Sequence, residues 1–525
     1  MNAPPHRLVS SLEDRFRDLE SRFHAAYWDS QVEAGPETDR SRTDLEVELR
    51  RAKGDPETFD AIKAARAEPQ HDPVFARQLE VLWLSLMGNQ MDEERRAQIV
   101  ELSSEVESEF ASFRPQLEGQ AVSDNEIEAI LKSSPDTERR RAAWEASKQI
   151  GAKVADRVRE LARLRNQAAH DLGFADYYRM SIELQEIPED WLYGILDEVE
   201  SLTHEPFKRW KADLDSKLEE RFATEQLYPW HYSDPFFQNA PAAGTVNLDA
   251  LFEGVGAADL ARETFARWGI DISGVLARSD LYPRDRKCQH AFCLDVDRSG
   301  KDVRILANVV EGERWVEVML HESGHAAYDI SIDPHLPYLL RRPAHTFVTE
   351  AIALLSGRLV HDESWLTDVA GFDRSQVAGM GEGLVRAAAT QSLLMARWIL
   401  VMSHFERELY ADPEADLDAR WWELVEQLQL VTPPPGRSAP DWAAKIHIAA
   451  APVYYHNYLL GDLLASQLKA TVQRECGGLA GVEAAGRLLK ERVFRPGNLL
   501  RWDSLIEGAT GRPLSAEYFA REVSF

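Results

Sequence analysis

The stretch Val316–Ile330, VEVMLHESGHAAYDI, constrains the fold more than any other part of the chain. His321, Glu322 and His325 stand in it in the order H-E-x-x-H. On an α-helix, residues four apart lie one above the other on one face, so the spacing aims two imidazoles at one point with a carboxylate beside them. That arrangement suits a catalytic zinc, which takes two neutral nitrogens, a third ligand from elsewhere and an open position. Trp315, Val316, Val318, Met319 and Leu320 before the motif, and Ala326 and Ala327 after it, make the helix a buried one. Gly324 costs about 1 kcal/mol relative to Ala inside such a helix. Close approach of a neighbouring backbone or a substrate is the expected reason for it. With 15 histidines in 525 residues, the bare pattern arises by chance only about 0.04 times in a chain of this length. Two core histidines that bind nothing are the lesser alternative.

A zinc held this way needs a third ligand. One known solution places Gly and His three and six residues past the second His, but Tyr328 and Ser331 stand there. A glutamate on the following helix is the other. Glu350, in TEAIALLSG, is flanked by apolar residues, and a lone carboxylate on an apolar face is costly to bury. Coordination removes that cost. His321, His325 and Glu350 are therefore the expected ligands of one Zn2+ per chain.

The composition, 44% hydrophobic and 28% charged, is that of a globular protein with a sizeable core. A formal charge of -28 disfavours nucleic acid and anionic membrane surfaces as partners. Cys288, Cys293 and Cys476 make neither a disulfide framework nor a zinc-finger spacing. They read as unpaired thiols in a reducing compartment. MNAPPHRLVSSLEDRFRDLE lacks the apolar core of a secretory signal. No uninterrupted run of about 18 apolar residues occurs, so no transmembrane helix is expected. A cytoplasmic location fits these features.

Most of the chain has helical periodicity. Leu12, Phe16, Leu19, Phe23 and Tyr27 recur at helical intervals in a series of amphipathic helices from about Val9 to Phe113. A long helix is expected to end at Gly173, and another to run over Pro188–Arg221 with Pro188 at its first position. Leu227–Gly244, LYPWHYSDPFFQNAPAAG, breaks the pattern with aromatics and prolines. It reads either as a pocket lining or as a packed loop. The one clear β signal is Cys288–Val310, where two alternating runs flank DRSGKD and predict a hairpin leading into the motif helix. An edge strand there can hold a peptide by main-chain hydrogen bonds. Helices follow to the end. The fold class is mostly α: one catalytic domain over residues 1–525, two-lobed around a cleft, with the motif helix and the third-ligand helix within 312–360.

Four segments in order carry a family resemblance: CQHAFCLDVDRSGKDVRILANV, HESGHAAYDI…PYLLRRPAHTFVTEAIALLSG, DWAAKIHI and RWDSLIEGATGRPLSAEYF. They resemble the substrate strand, zinc and third-ligand helices, Lys/His segment and C-terminal helices of the angiotensin-converting-enzyme family of zinc peptidyl-dipeptidases. More distantly the chain is similar to thimet oligopeptidase and its relatives. The resemblance implies an almost all-α ellipsoid split by a deep central channel. It implies that Glu322 is the general base, taking a proton from the attacking water and passing it to the leaving amine. It implies that His290 and the backbone of Ala291 hold the substrate main chain. His447 would donate to the scissile carbonyl, and Lys445 would pair with the substrate's C-terminal carboxylate. Asp295 would orient a ligand histidine.

The family's paired tyrosines, three apart, correspond to Tyr455 and Tyr458. Tyr458 is assigned as the oxyanion donor and Tyr455 as its substrate-side partner, with Tyr454 as the competitor for the first role. Three departures are visible. No Gln stands in LYPWHYS to help grip the substrate carboxylate, and His231 is the nearest substitute. The Arg that helps bind chloride in the converting enzymes is His456 or Asn457 here, so chloride activation is not implied. The Asp those enzymes carry four residues after the third ligand is Leu354. The reading is a zinc metallopeptidase of short peptides that releases dipeptides from the C-terminus. A carboxypeptidase or oligoendopeptidase with the same zinc core is the alternative within enzymes. A catalytically silent peptide-binding homologue is the alternative outside them, and Glu322 argues against it, since a binding module needs no general base.

Overall fold

The computed structural model of the chain describes residues 5–240 and 248–524. The last four residues of the predicted Leu227–Gly244 loop lie outside them. Among the described residues there are 22 α-helices and two small two-stranded sheets, so the mostly α class holds. The chain divides into two compact units. The first comprises Met1–Gln90, Val246–Val385 and Leu460–Tyr518; the second comprises Met91–Thr245, Arg386–Leu459 and Phe519–Phe525.

In the first unit, the helices Pro36–Lys53, Pro56–Ala67 and Pro73–Met87 all begin on a proline, whose fixed φ and missing N–H suit a first helical turn. Their apolar faces join Val9, Leu12, Phe16 and Leu19 of Pro5–Val32 in one core with Phe75, Leu79, Leu82 and Leu339. The predicted hairpin is present as Phe292–Asp295 paired antiparallel with Val303–Leu306, in register Phe292↔Leu306 to Asp295↔Val303. Asp280 bridges Leu306 on the far side. Of the two strands of this hairpin, Phe292–Asp295 is therefore the one whose outer edge no described strand pairs. Asp297 and Asp295 fix the turn by accepting the N–H groups of Ser299 at 2.9 Å and Gly300 at 3.1 Å.

The motif helix spans Glu313–Ser331 and buries Val316, Met319, Leu320, Ser323, Ala326 and Ala327, a stripe at helical spacing. The helix Thr346–Gly357 lies against it. Ser356 Oγ donates to the carbonyl of Leu320 at 3.0 Å. The contact explains Gly324: a Cβ there would stand 2.4 Å from Ser356 Oγ and 2.9 Å from Ala353 Cα. The neighbouring element is a helix backbone.

In the second unit, the helix Thr137–Asp171 runs for 35 residues. The next long helix is Glu189–Phe222, so Pro188 is its cap, one position before the place predicted for it. Gly381–Ala411 is long and apolar enough to cross a membrane by length and composition alone. Within this helix Leu393, Leu394, Trp398, Ile399, Leu400 and Val401 are fully buried in the protein.

Candidate metal centre and substrate-side cluster

The first unit brings His321, His325 and Glu350 together. One ligand atom from each lies within 4.8 Å of the others. His321 Nε2 is 3.8 Å from Glu350 Oε1 and His325 Nε2 is 3.7 Å from Glu350 Oε2. Those edges are slightly wider than the roughly 3.3–3.5 Å between donors of a tetrahedral zinc with bonds near 2.0–2.2 Å. Burial pushes the imidazole of His321 down to about 4 and, with His321 adding to it, that of His325 down to about 3. Both rings are therefore neutral at neutral pH, which coordination requires. Burial, then Asp462, pushes the Glu350 carboxyl up to about 7, against the pull of Arg358. Burial, then Glu350, pushes Glu322 up to about 8, opposed by the N–H of Cys293. Crowded carboxylates facing neutral imidazoles make a site that lacks positive charge. A divalent cation would supply it, and the donor set is one that zinc takes.

Glu322 is 7% exposed, follows His321 directly in sequence and is held by the Cys293 N–H of the first hairpin strand. His290 is exposed and Ala291 half-buried, immediately before that strand. Asp295 ends the first strand of the hairpin. Its Oδ2 accepts the Gly300 N–H, and its buried Oδ1 has no hydrogen-bond partner. The group beside a ligand ring is Thr349, whose Oγ1 stands 2.8 Å from His325 Nδ1. Asp295 caps a turn of its own hairpin, and the helix that supplies Glu350 supplies Thr349 one residue earlier.

The remaining predicted residues cluster in the second unit. Lys445 follows the short helix Asp441–Ala444. Its Nζ donates to Gln238 Oε1 at 2.9 Å and lies 5.4 Å and 5.3 Å from the ring centres of Phe236 and Trp398. Burial pushes its ammonium down to about 8, against the pull of Asp234. Gln238 lies outside LYPWHYS, seven residues after His231 in the same aromatic loop. Asp234, 2% exposed, fixes that loop by accepting the N–H groups of Phe236, Gln238 and Asn239. His231 is taken up by its own turn, with Nδ1 accepting the Tyr228 N–H at 2.9 Å.

His447 packs on Tyr455 with ring centres 5.2 Å apart, and Tyr455 on Tyr458 at 5.8 Å. Tyr455 is 3% exposed, whereas Tyr454 and Tyr458 are both partly open and meet edge to face at 5.2 Å. Burial, then Lys445, pushes the His447 ring down to about 4. Its Nδ1 is buried with no hydrogen-bond partner. His456 and Asn457, in place of the chloride-binding Arg, both approach Gln185 Oε1, at 3.2 Å and 2.9 Å.

Residues 274–525 match the family model described as Peptidase family M3, and residues 3–208 match the model described as Angiotensin-converting enzyme. No curated protein matches the chain. Both models describe zinc metallopeptidases, and the first covers His321, Glu322, His325, Glu350, Lys445, His447, Tyr455 and Tyr458. The chain is similar to both families, the two it resembles in sequence, and the similarity supports a metallopeptidase.

Proposed function

We propose that this enzyme hydrolyses short peptides by direct addition of water and releases dipeptides from the C-terminus. The convergence of His321, His325 and Glu350 within 4.8 Å, with Glu322 beside them, carries the reading. In it the three donors hold one zinc, which contributes Lewis acidity to the carbonyl and the attacking water. Glu322 accepts the proton of the water as its oxygen bonds to the carbonyl carbon. It then delivers that proton to the amine nitrogen as the C–N bond breaks. Tyr458 and His447 donate to the developing oxyanion, a contribution of roughly 3–4 kcal/mol per well-placed donor. The free edge at Ala291 and the ring of His290 hold the substrate backbone. Asp295 keeps the hairpin turn in shape. Lys445 binds the terminal carboxylate, with Gln238 beside it and Tyr455 supporting. The partial exposure of Tyr458 and the unpartnered Nδ1 of His447 support these two assignments. Three free cysteines support a cytoplasmic setting.

The exit mode is tested by digesting defined peptides and weighing the products. Loss of dipeptides from the C-terminus, abolished when that end is an amide, is expected. Single residues released in order would indicate a carboxypeptidase, and internal fragments from amidated peptides an oligoendopeptidase.

A further inference from the structure

The segment that carries His447 and Tyr458 turns on a strained residue. Val453 stands between the short helix His447–Ala450 and the helix His456–Cys476. Its φ is 54°, and it is the one β-branched residue among the described non-glycine residues at positive φ. A branched Cβ crowds the following carbonyl oxygen there, so the conformation persists only where neighbours over-determine it. Those neighbours are side chains from other helices. Glu406, 1% exposed on Gly381–Ala411, accepts the Val453 N–H on Oε1 at 2.9 Å. Gln185, just after the helix Tyr177–Leu184, donates from Nε2 to the Val453 carbonyl at 3.5 Å and accepts Asn457 Nδ2 on Oε1 at 2.9 Å. Arg165 Nη2 donates to the Ala449 carbonyl at 2.7 Å. Beyond the turn, the carbonyls of Tyr454 and Tyr455 accept the N–H groups of Asn457 and Tyr458 at 3.0 and 3.1 Å. The dihedral at Val453 therefore sets the direction in which the tyrosines leave the His447 helix. All of these residues belong to the second unit.

We propose that Glu406 is a positioning residue for the hydrolysis: by holding the Val453 N–H, it keeps Val453 left-handed and so fixes Tyr458 relative to His447. This rests on the reading of Tyr458 and His447 as oxyanion donors. Glu406 acts only through the backbone it holds, and Gln185 braces the other side of the same turn. A carboxylate suits the task because it is a stronger acceptor for a backbone N–H than a neutral group. An oxyanion donor contributes only at hydrogen-bond distance from the developing charge, and a displacement of about 1 Å can cost about 10²-fold in rate. Loss of Glu406 is therefore felt in the transition state more than in substrate binding, in kcat rather than KM.

The test is kcat and KM on a short peptide that the wild type cleaves, for the zinc-loaded full chain and for Glu406→Ala, Glu406→Gln and Tyr458→Phe. Both Glu406 variants are repeated in a Val453→Gly background, with bound zinc and thermal unfolding recorded for each protein. Glu406→Ala is expected to lose about 10–100-fold in kcat with KM little changed and zinc fully bound. Glu406→Gln, which keeps an acceptor oxygen for the Val453 N–H, is expected to fall between it and the wild type. Glycine takes positive φ without strain, so the loss caused by either Glu406 variant is expected to shrink in the Val453→Gly background. Wild-type kcat in Glu406→Ala overturns the proposal, as does a rise in KM at constant kcat or an equal loss in both backgrounds. If Glu406→Ala does not fold, a loss in Glu406→Gln that Val453→Gly leaves unchanged overturns it equally. Wild-type kcat in Tyr458→Phe overturns the donor assignment, and the proposal with it, whereas a low kcat there beside wild-type kcat in Glu406→Ala overturns the proposal alone.

Discussion

Glu20 shows what a buried carboxylate in this chain looks like when protein cations surround it. It is 4% exposed, and Lys53, Arg298 and Tyr338 meet its two oxygens at 2.7, 2.9 and 2.7 Å. Burial raises the carboxyl, but Arg298 and Lys53 outweigh burial and hold it down at about 2, from an ordinary 4.5. Lys53 is itself pushed down, because burial outweighs the pull of Glu20, so the pair stabilises by less than the Glu20 shift alone. The native carboxyl binds its proton less tightly than the unfolded one. Its contribution is therefore complete above about pH 4.5 and lost as pH falls from there towards about 2. Glu20→Gln is expected to lose about 1–3 kcal/mol of stability at pH 7. That deficit should disappear by the acid end of the window. Denaturant unfolding of both proteins across pH checks this, and a constant deficit down to acid pH would refute the assignment. Glu322 and Glu350 shift the opposite way, and the difference between the two groups of carboxylates is the supply of positive charge around them.

At the scale of elements, the metal centre depends on two helices meeting at closest approach. Gly324→Ala puts a methyl group against Ser356 Oγ and the Ala353 backbone. Backbone cannot step aside as a side chain can. A loss of about 1–3 kcal/mol is expected, read in the thermal unfolding of the metal-free protein, with weaker zinc binding beside it. Unchanged unfolding would mean that the helices are less tightly apposed than the structure has them. The same pair shows what was legible in the sequence. The stripe from Val316 to Ala327 has a period, the hairpin has alternation and a turn, and H-E-x-x-H has a spacing. Each of these is a local pattern. Gln238 on Lys445 is one side chain meeting another across 207 residues of chain, and no local period announces it. Asp295 accepts the Gly300 N–H within its own hairpin, a contact that its spacing in sequence does not announce. Gly324 was anticipated as a close approach, and only the structure names Ala353 and Ser356 as the neighbours.

For the whole molecule, the mostly α class was readable because helical periodicity runs through nearly all of the chain, interrupted by one clear hairpin. The residues assigned to chemistry divide between the two units. His321, Glu322, His325, Glu350 and the strand edge are in the first, and Lys445, His447, Tyr455 and Tyr458 are in the second. The proposal that these residues serve zinc-dependent peptide hydrolysis with Glu322 as the base is tested by comparing zinc-loaded wild type with Glu322→Gln on a diverse set of short peptides, with bound zinc measured in both. One zinc per chain in each and a fall in kcat of about 10²–10⁴-fold in the variant are expected. Cleavage by Glu322→Gln at the wild-type rate, or none by either protein with zinc fully bound, would contradict it.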